Sequence, residues 1–257
     1  MRVTGRIDPA PTPTWMGATA IGALDPIETP CGCRMRTLGP MHVVRIDEGL
    51  WRWTAQHPDW RAGADWERDV GCVYWEADEA IVLVDPLVPE DSAERERFLG
   101  SLDADVERAG VPVVVALTCR WHRRSAEELA ERYGGRLLAP EGSGVKTAES
   151  FRPGAVLPGG AIGFAAGPGT DDEVVYWLPS ARAIVVGDVL LGDGRGGVRL
   201  LPESWLSGAA GISPVSRALE PLLELSVERV LVSHGAPVLS GGQAAIRGAL
   251  GGTTHHR

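Results

Sequence analysis

The chain is poor in cysteine, poor in basic charge and free of long apolar runs. Its four cysteines, Cys31, Cys33, Cys72 and Cys119, lack the spacing of a disulfide scaffold and read as thiols of a reducing compartment. Cys31-Gly32-Cys33 is a weak metal or redox signal and reads instead as two thiols in a tail. No segment approaches the roughly 20 apolar residues of a membrane span, and the amino terminus has no apolar core of a secretion signal. The expectation is a cytoplasmic protein without a membrane partner. Basic residues number 25 against 34 acidic ones, for a net charge of −9, so the surface as a whole does not attract nucleic-acid phosphate. A Gly-x-Ser-x-Gly elbow, a Gly-x-Gly-x-x-Gly turn and a P-loop are all missing, which argues against a Ser/His/Asp hydrolase and against nucleotide binding.

What is present suits a globular α/β protein. An apolar share of 44% over 257 residues is enough for a substantial core in one large domain or two small ones. Residues 1–40 carry Pro9, Pro11, Pro13, Pro26, Pro30 and Pro40 with little periodicity, the pattern of a poorly ordered extension. A single domain is expected over 41–250, with a tail at 251–257. The sequence does not choose between Met1, Met35 and Met41 as the start of translation.

Residues 111–133, VPVVVALTCRWHRRSAEELAERY, organise the rest. The β-branched run from Val111 to Leu117 fits a strand covered on both faces, with Pro112 at its start, where a strand tolerates it. Ser125 reads as the N-cap of a helix whose inner face is Ala126, Leu129, Ala130 and Tyr133. The loop 118–124 between them lies at the carboxyl end of a strand, where α/β proteins place their chemistry. Upstream, MHVVRIDEGLWRWTA alternates like a hairpin, and GCVYWEADEAIVLVD is a second hairpin turning at 77–80. Residues 91–108 form an amphipathic helix with Phe98, Leu99, Leu102 and Val106 inside. Downstream come short strands over 136–166, a hairpin over 174–188, and a Gly-rich loop. A helix over 214–225, a strand ending at Ser233-His234-Gly235 and a short helix over 243–250 complete the chain. Two β-rich halves, each with a strand–helix–strand unit, suggest two mixed sheets packed face to face with helices outside.

This order of motifs resembles the metallo-β-lactamase superfamily over about residues 41 to 250, which implies a four-layered αββα sandwich. VYWEADEAIVLVDPL is similar to the family's early hairpin ending in an aspartate, here Asp85. The segment 113–134 is similar to its strand, metal loop and helix. FAAGPGTDDEVVYWLPSARAIVVGDVLL is similar to its Gly-His-Thr turn and the hairpin ending in Gly-Asp, and VERVLVSHGAP to its last strand ending in His-Gly. The family loop reads HxHxDH. Aligned through Thr118, its ligand positions fall on Cys119, Trp121, Arg123 and Arg124. Aligned through the helix, the preferred register, they fall on Leu117, Cys119, Trp121 and His122. Gly169 takes the place of the turn histidine. The three-histidine site therefore becomes Leu117, Cys119 and Gly169 and is lost, whereas the second site becomes Trp121, His122, Asp188 and His234.

The resemblance thus implies a mononuclear zinc or iron site of His122, Asp188 and His234, with Cys119 as an added soft ligand and Asp85 supporting the loop. Two imidazoles and a carboxylate with an open position are a ligand set of catalytic zinc and of non-haem iron. His122 and Asp188 are the expected catalytic residues, in a hydrolase acting on an ester, thioester or lactone of a small molecule through hydroxide held on one metal. Each ligand also has a structural reading: His122 bonding a loop carbonyl, Asp188 as a turn residue, His234 as a strand-end histidine. The competing class is a metal-free, inactive member in which Arg120, Arg123 and Arg124 bind an anionic ligand or a protein partner. Their bland reading is surface pairing with Glu127, Glu128 and Glu131. His57-Pro58-Asp59-Trp60, near Trp51, Trp53 and Trp66, reads either as a loop over the cleft or as a small satellite core.

Overall fold

The computed structural model describes residues 41–208 and 211–251. The proline-rich segment 1–40, with Cys31 and Cys33, and residues 252–257 lie outside the described residues.

The first sheet has seven strands in sequence order. β1 (His42–Asp47), β2 (Leu50–Gln56), β3 (Asp69–Ala77) and β4 (Ala80–Val84) form an antiparallel meander. β5 (Val113–Ala116), β6 (Arg136–Pro140) and β7 (Glu149–Phe151) continue it in parallel. Before β5 comes α1 (Ser92–Ala109), and after it α2 (Ala126–Arg132). The second sheet uses β8 (Ile162–Ala165), β9 (Val174–Leu178), β10 (Ala183–Val186) and β13 (Arg229–Val232) in the order β13-β10-β9-β8. A separate hairpin of β11 (Leu190–Gly192) and β12 (Val198–Leu200) fills the segment expected as a Gly-rich loop. α3 (Ile212–Leu219), continued by a 3-10 turn, and α4 (Gly242–Gly251) close the chain.

Alternation along the strands builds three apolar layers. Ile81, Leu83, Val113 and Val115 face α1 and α2, meeting Phe98, Leu102, Ala126 and Leu129. Their neighbours Val82, Val84, Val114 and Ala116 face the second sheet, meeting Val174, Tyr176 and Leu178. The other side of that sheet, with Val175, Trp177 and Ile184, packs on Val215 and Leu219 of α3 and Ile246 and Leu250 of α4. Two sheets between two helical layers make the αββα sandwich. No helix among the described residues is long and apolar enough to cross a membrane.

Capping departs from expectation at one point. Asp91 caps α1, accepting from the backbone N–H groups of Ala93 and Glu94, and Gly110 ends it in the left-handed region. Ser125 makes no side-chain cap at α2. Its hydroxyl accepts instead from the Val88 N–H at 2.9 Å, tying the chain after Asp85 to the start of the helix.

The hairpin of β3 and β4 is fastened to α1 by Arg108, which reaches both oxygens of Glu76 at 3.0 and 2.6 Å. That guanidinium holds the Glu76 carboxyl below its ordinary value of 4.5. A depressed carboxylate contributes stability above its unfolded pKa and loses it as pH falls through the folded value. Glu76→Gln should therefore cost about 1 kcal/mol at pH 7. Urea unfolding of both proteins at pH 7 and at pH 3 checks this: the gap should narrow in acid.

Candidate metal centre

The site forms where the carboxyl ends of β4, β5, β10 and β13 meet. Asp85, just past β4, is 2% exposed and sits at φ +49°, rare for a residue other than glycine. One of its oxygens accepts from the Thr118 N–H at 2.8 Å. The other accepts from the Thr118 hydroxyl at 2.6 Å and lies 2.8 Å from His122 Nδ1. The second sheet pins the same loop, since Tyr176 donates its hydroxyl to the Leu117 carbonyl at 2.6 Å and the Val174 N–H reaches the Thr118 carbonyl at 2.9 Å. With its Nδ1–H donated to Asp85, neutral His122 presents the lone pair of Nε2, the tautomer that binds metals.

Asp188 arrives from β10. Its backbone N–H and that of Val189 donate to Glu173 Oε1 at 2.9 and 3.0 Å, which fixes the turn. Gly187 is required here. A Cβ at that position would lie 2.5 Å from the Thr118 hydroxyl and 3.2 Å from the His122 ring. His234 follows two residues after β13, and its position is set by Arg52 of β2, whose guanidinium donates to the carbonyls of Val232 and Gly235 at 3.2 and 3.1 Å. Gly235 follows at φ +85°, where a Cβ would lie 3.0 Å from the Gly192 Cα.

Asp188 Oδ1 lies 3.2 Å from Nε2 of both His122 and His234. Neither contact is aligned as a hydrogen bond, and this buried oxygen has no hydrogen-bond partner. The carboxylate oxygen is thus shared between two imidazole nitrogens, an arrangement that could also close around a cation. Ligand atoms about 2 Å from a tetrahedral zinc stand roughly 3.3 Å apart, close to the two Asp188–imidazole separations. The two imidazole centroids are 6.2 Å apart. Ligand atoms of Cys119, His122 and Asp188 also lie within 4.8 Å of one another. The donors that could hold a cation are therefore Cys119, His122 and Asp188, with His234 beside Asp188.

Burial opposes ionisation of Asp188, but the two imidazoles outweigh it and hold the carboxyl far below its usual range. Burial and Arg124 oppose a proton on His122, yet Cys119, Asp188 and Asp85 together raise its pKa well above 6.5. Burial pushes the Cys119 thiol up. Burial, then the charge of Asp188, pushes the Glu173 carboxyl up from its ordinary range. His57 moves the other way, to about 4, through burial and the charge of Arg124.

The arginines do not converge on the cavity, and Arg123 takes the surface pairing read for it from the sequence. Arg123 pairs with Glu127 on the surface at 2.5 Å. Arg120 pairs with Asp171 at 2.9 Å and stacks on Trp121. Arg124 alone lines the cavity, and its guanidinium is committed to the carbonyls of Gly71 and Asp85 and to the Ser233 hydroxyl. Charge pairing on adjacent helix and turn residues won over convergence. Leu117 is buried in the core beneath α2, and Gly169 accepts the Ser207 N–H through its carbonyl. Trp51 and Trp53 are core residues, whereas His57, Asp59 and Trp66 line the cavity.

Sequence reasoning missed three site residues. Glu173 closes an Asp171-Asp172-Glu173 run whose inward member no pattern marks, although it stands one residue before a covered strand. Trp205 and Asp65 lie in irregular segments and meet through space, the indole N–H donating to the carboxylate at 2.6 Å. The resulting cavity, about 390 Å³, opens over His122, Asp188 and His234.

No family model and no curated protein matches the sequence. Solved structures do match. The metallo-β-lactamase DIM-1 exposed to ceftazidime has a TM-score of 0.61 at 16% identity, covering 84% of this chain and 99% of that one. The metallo-β-lactamase from Pontibacter korlensis has 0.60 at 19%, covering 84% and 100%. FIM-1 from Pseudomonas aeruginosa, in its mono-zinc form, has 0.59 at 16%, covering 85% and 98%. At such identities the likeness is one of architecture: this chain has the metallo-β-lactamase fold.

Proposed function

We propose that the protein is a hydrolase with a single divalent cation, zinc or iron, held by His122, Asp188 and His234 beside Cys119, acting on an ester, thioester or lactone. The observation that carries this reading is the Asp188 oxygen, buried and unbonded, 3.2 Å from two imidazole nitrogens. His122, Asp188 and His234 would hold the cation, which would supply a Lewis acid for water activation and carbonyl polarisation. The chain's own residues supply the rest. Asp85 orients His122, Glu173 sets the Asp188 turn, and Trp66 and Trp205 pack edge-on against His234 at 5.6 and 6.0 Å. Hydrolysis breaks the bond from the acyl carbon to oxygen or sulfur; the acyl carbon gains hydroxyl and the leaving atom gains the proton.

One observation favours a second, metal-free reading. A protonated His122 between Asp85 and Asp188 is stable without a cation, and an inactive binding protein needs no more than that.

Metal analysis separates the two. Protein purified without chelator or histidine tag should carry about one zinc or iron per chain, lost in His122→Ala and in His234→Ala. Zinc added to chelated protein should raise its melting point, because a ligand of the native state stabilises it. An unchanged melting point favours the metal-free reading.

Gly187→Ala should fold but weaken zinc binding by about 10–100-fold, since the new methyl displaces His122 from Asp188. Competition with a chromophoric chelator measures this.

Proton competition fixes the pH dependence. With its folded pKa raised above 6.5, His122 gives the metal-free protein stability that is complete below 6.5 and lost as pH rises through the folded value. Zinc must displace that proton, so its affinity should rise with pH. Titrations at pH 6, 7 and 8 should show monotonic tightening.

A further inference from the structure

The cavity is unlike the arginine-lined cleft that its loop sequence suggests. At its rim stand three indoles, Trp66, Trp121 and Trp205, with the exposed carboxylates Asp59 and Asp65. Its one arginine, Arg124, hydrogen-bonds the Ser233 hydroxyl behind His234 and so lies on the inner wall.

Trp121 is the most telling of these residues. It is 62% exposed, with Arg120 over one face of its ring and the rest open to solvent. Yet it is held in one orientation. Its indole N–H donates to Asp171 at 2.9 Å, and Arg120, itself paired with Asp171 at 2.9 Å, stacks 4.8 Å from the ring centroid. Asp171 in turn accepts the Ser207 hydroxyl at 2.8 Å and takes up φ +54°. A strained residue that fixes an exposed ring points to preorganisation for a ligand. Trp205 is arranged alike, its N–H donated to Asp65. An indole whose N–H gives a hydrogen bond to a carboxylate gains electron density on its face, which strengthens attraction for a cation.

We propose that the substrate carries an ammonium group, seated at the rim against Trp121 and Trp205 with Asp59 and Asp65 as counter-charges, while its acyl carbonyl points inward to His122, Asp188 and His234. The acyl half rests on the hydrolase reading above; the ammonium seat does not. Indole faces with nearby carboxylates are the chemistry that selects quaternary and alkylated ammonium over neutral groups of the same shape. The net charge of −9 favours approach of a cation as well.

Calorimetric titration of the chelated, full-length protein tests the seat without any need for metal or turnover. The probes are choline, its uncharged carbon isostere 3,3-dimethylbutanol, and the anion 3,3-dimethylbutyrate. Choline should bind about tenfold or more tightly than the alcohol, weaken with added salt, and surpass the anion. Trp121→Ala and Asp65→Asn should each reduce choline binding about three- to tenfold with the melting point unchanged. Equal binding of choline and the alcohol, preference for the anion, or unchanged choline binding in Trp121→Ala overturns the proposal. Choline selectivity without zinc uptake sinks the hydrolase reading alone, and zinc uptake without choline selectivity sinks the ammonium seat alone.

Discussion

Everything at the centre of this molecule depends on the buried carboxylate of Asp85. A carboxylate taken out of water needs each of its acceptor sites answered, because an unpaired buried charge costs several kcal/mol. Asp85 finds its partners in the Thr118 N–H, the Thr118 hydroxyl and the His122 ring. Those three groups belong to the loop after β5, so satisfying one residue of β4 folds the loop and sets a histidine. The positive φ of Asp85 is a local cost that this fork offsets. Placement of His122 is thus a consequence of chain packing and precedes any ligand.

The dipeptides Gly187-Asp188 and His234-Gly235 have the same character. In each, glycine stands where a Cβ would strike a neighbour beside the site: the Thr118 hydroxyl for Gly187 and the Gly192 backbone for Gly235. Gly71 does this between the sheets. Its N–H bonds the Ser233 carbonyl at 2.7 Å, and a Cβ would lie 2.6 Å from the Val232 carbonyl. Glycine at these points brings the two sheets close enough for side chains from β10, β13 and the β5 loop to share one volume.

Legibility of the sequence followed the range of the forces involved. Strands covered on both faces, such as β4, β5 and β9, announce themselves by unbroken apolar runs, and α1 by its spacing of Phe98 and Leu102. The resemblance marked His122, Asp188 and His234, and the fold brings them together. Contacts made across space were not legible. Ser125 resembles a cap until Val88 arrives from another segment, and three clustered arginines resemble an anion site until Glu127, Asp171 and the carbonyl of Asp85 claim them. Glu173 and Trp205 enter the site through long-range packing that no local window encodes. The hairpin of β11 and β12 hid in a Gly-rich stretch because its strands are only three residues long.

The position of Leu117 limits what this site can become. Aligned through the helix, it occupies the first ligand position of the family loop, yet its side chain is fully buried among Leu83, Val115 and Leu129. Burying a leucine there stabilises the fold by roughly 1.5–3 kcal/mol. An imidazole in its place would lose that term and leave ring nitrogens without partners in an apolar layer, at a further cost of about 1–3 kcal/mol. Gly169, at φ +82°, adds a backbone penalty to any side chain at the turn position. The apolar core under α2 and the turn before β9 therefore both stabilise the fold without a three-histidine site. Three changes, at Leu117, Cys119 and Gly169, separate this chain from a three-histidine site, and those at Leu117 and Gly169 are each destabilising alone.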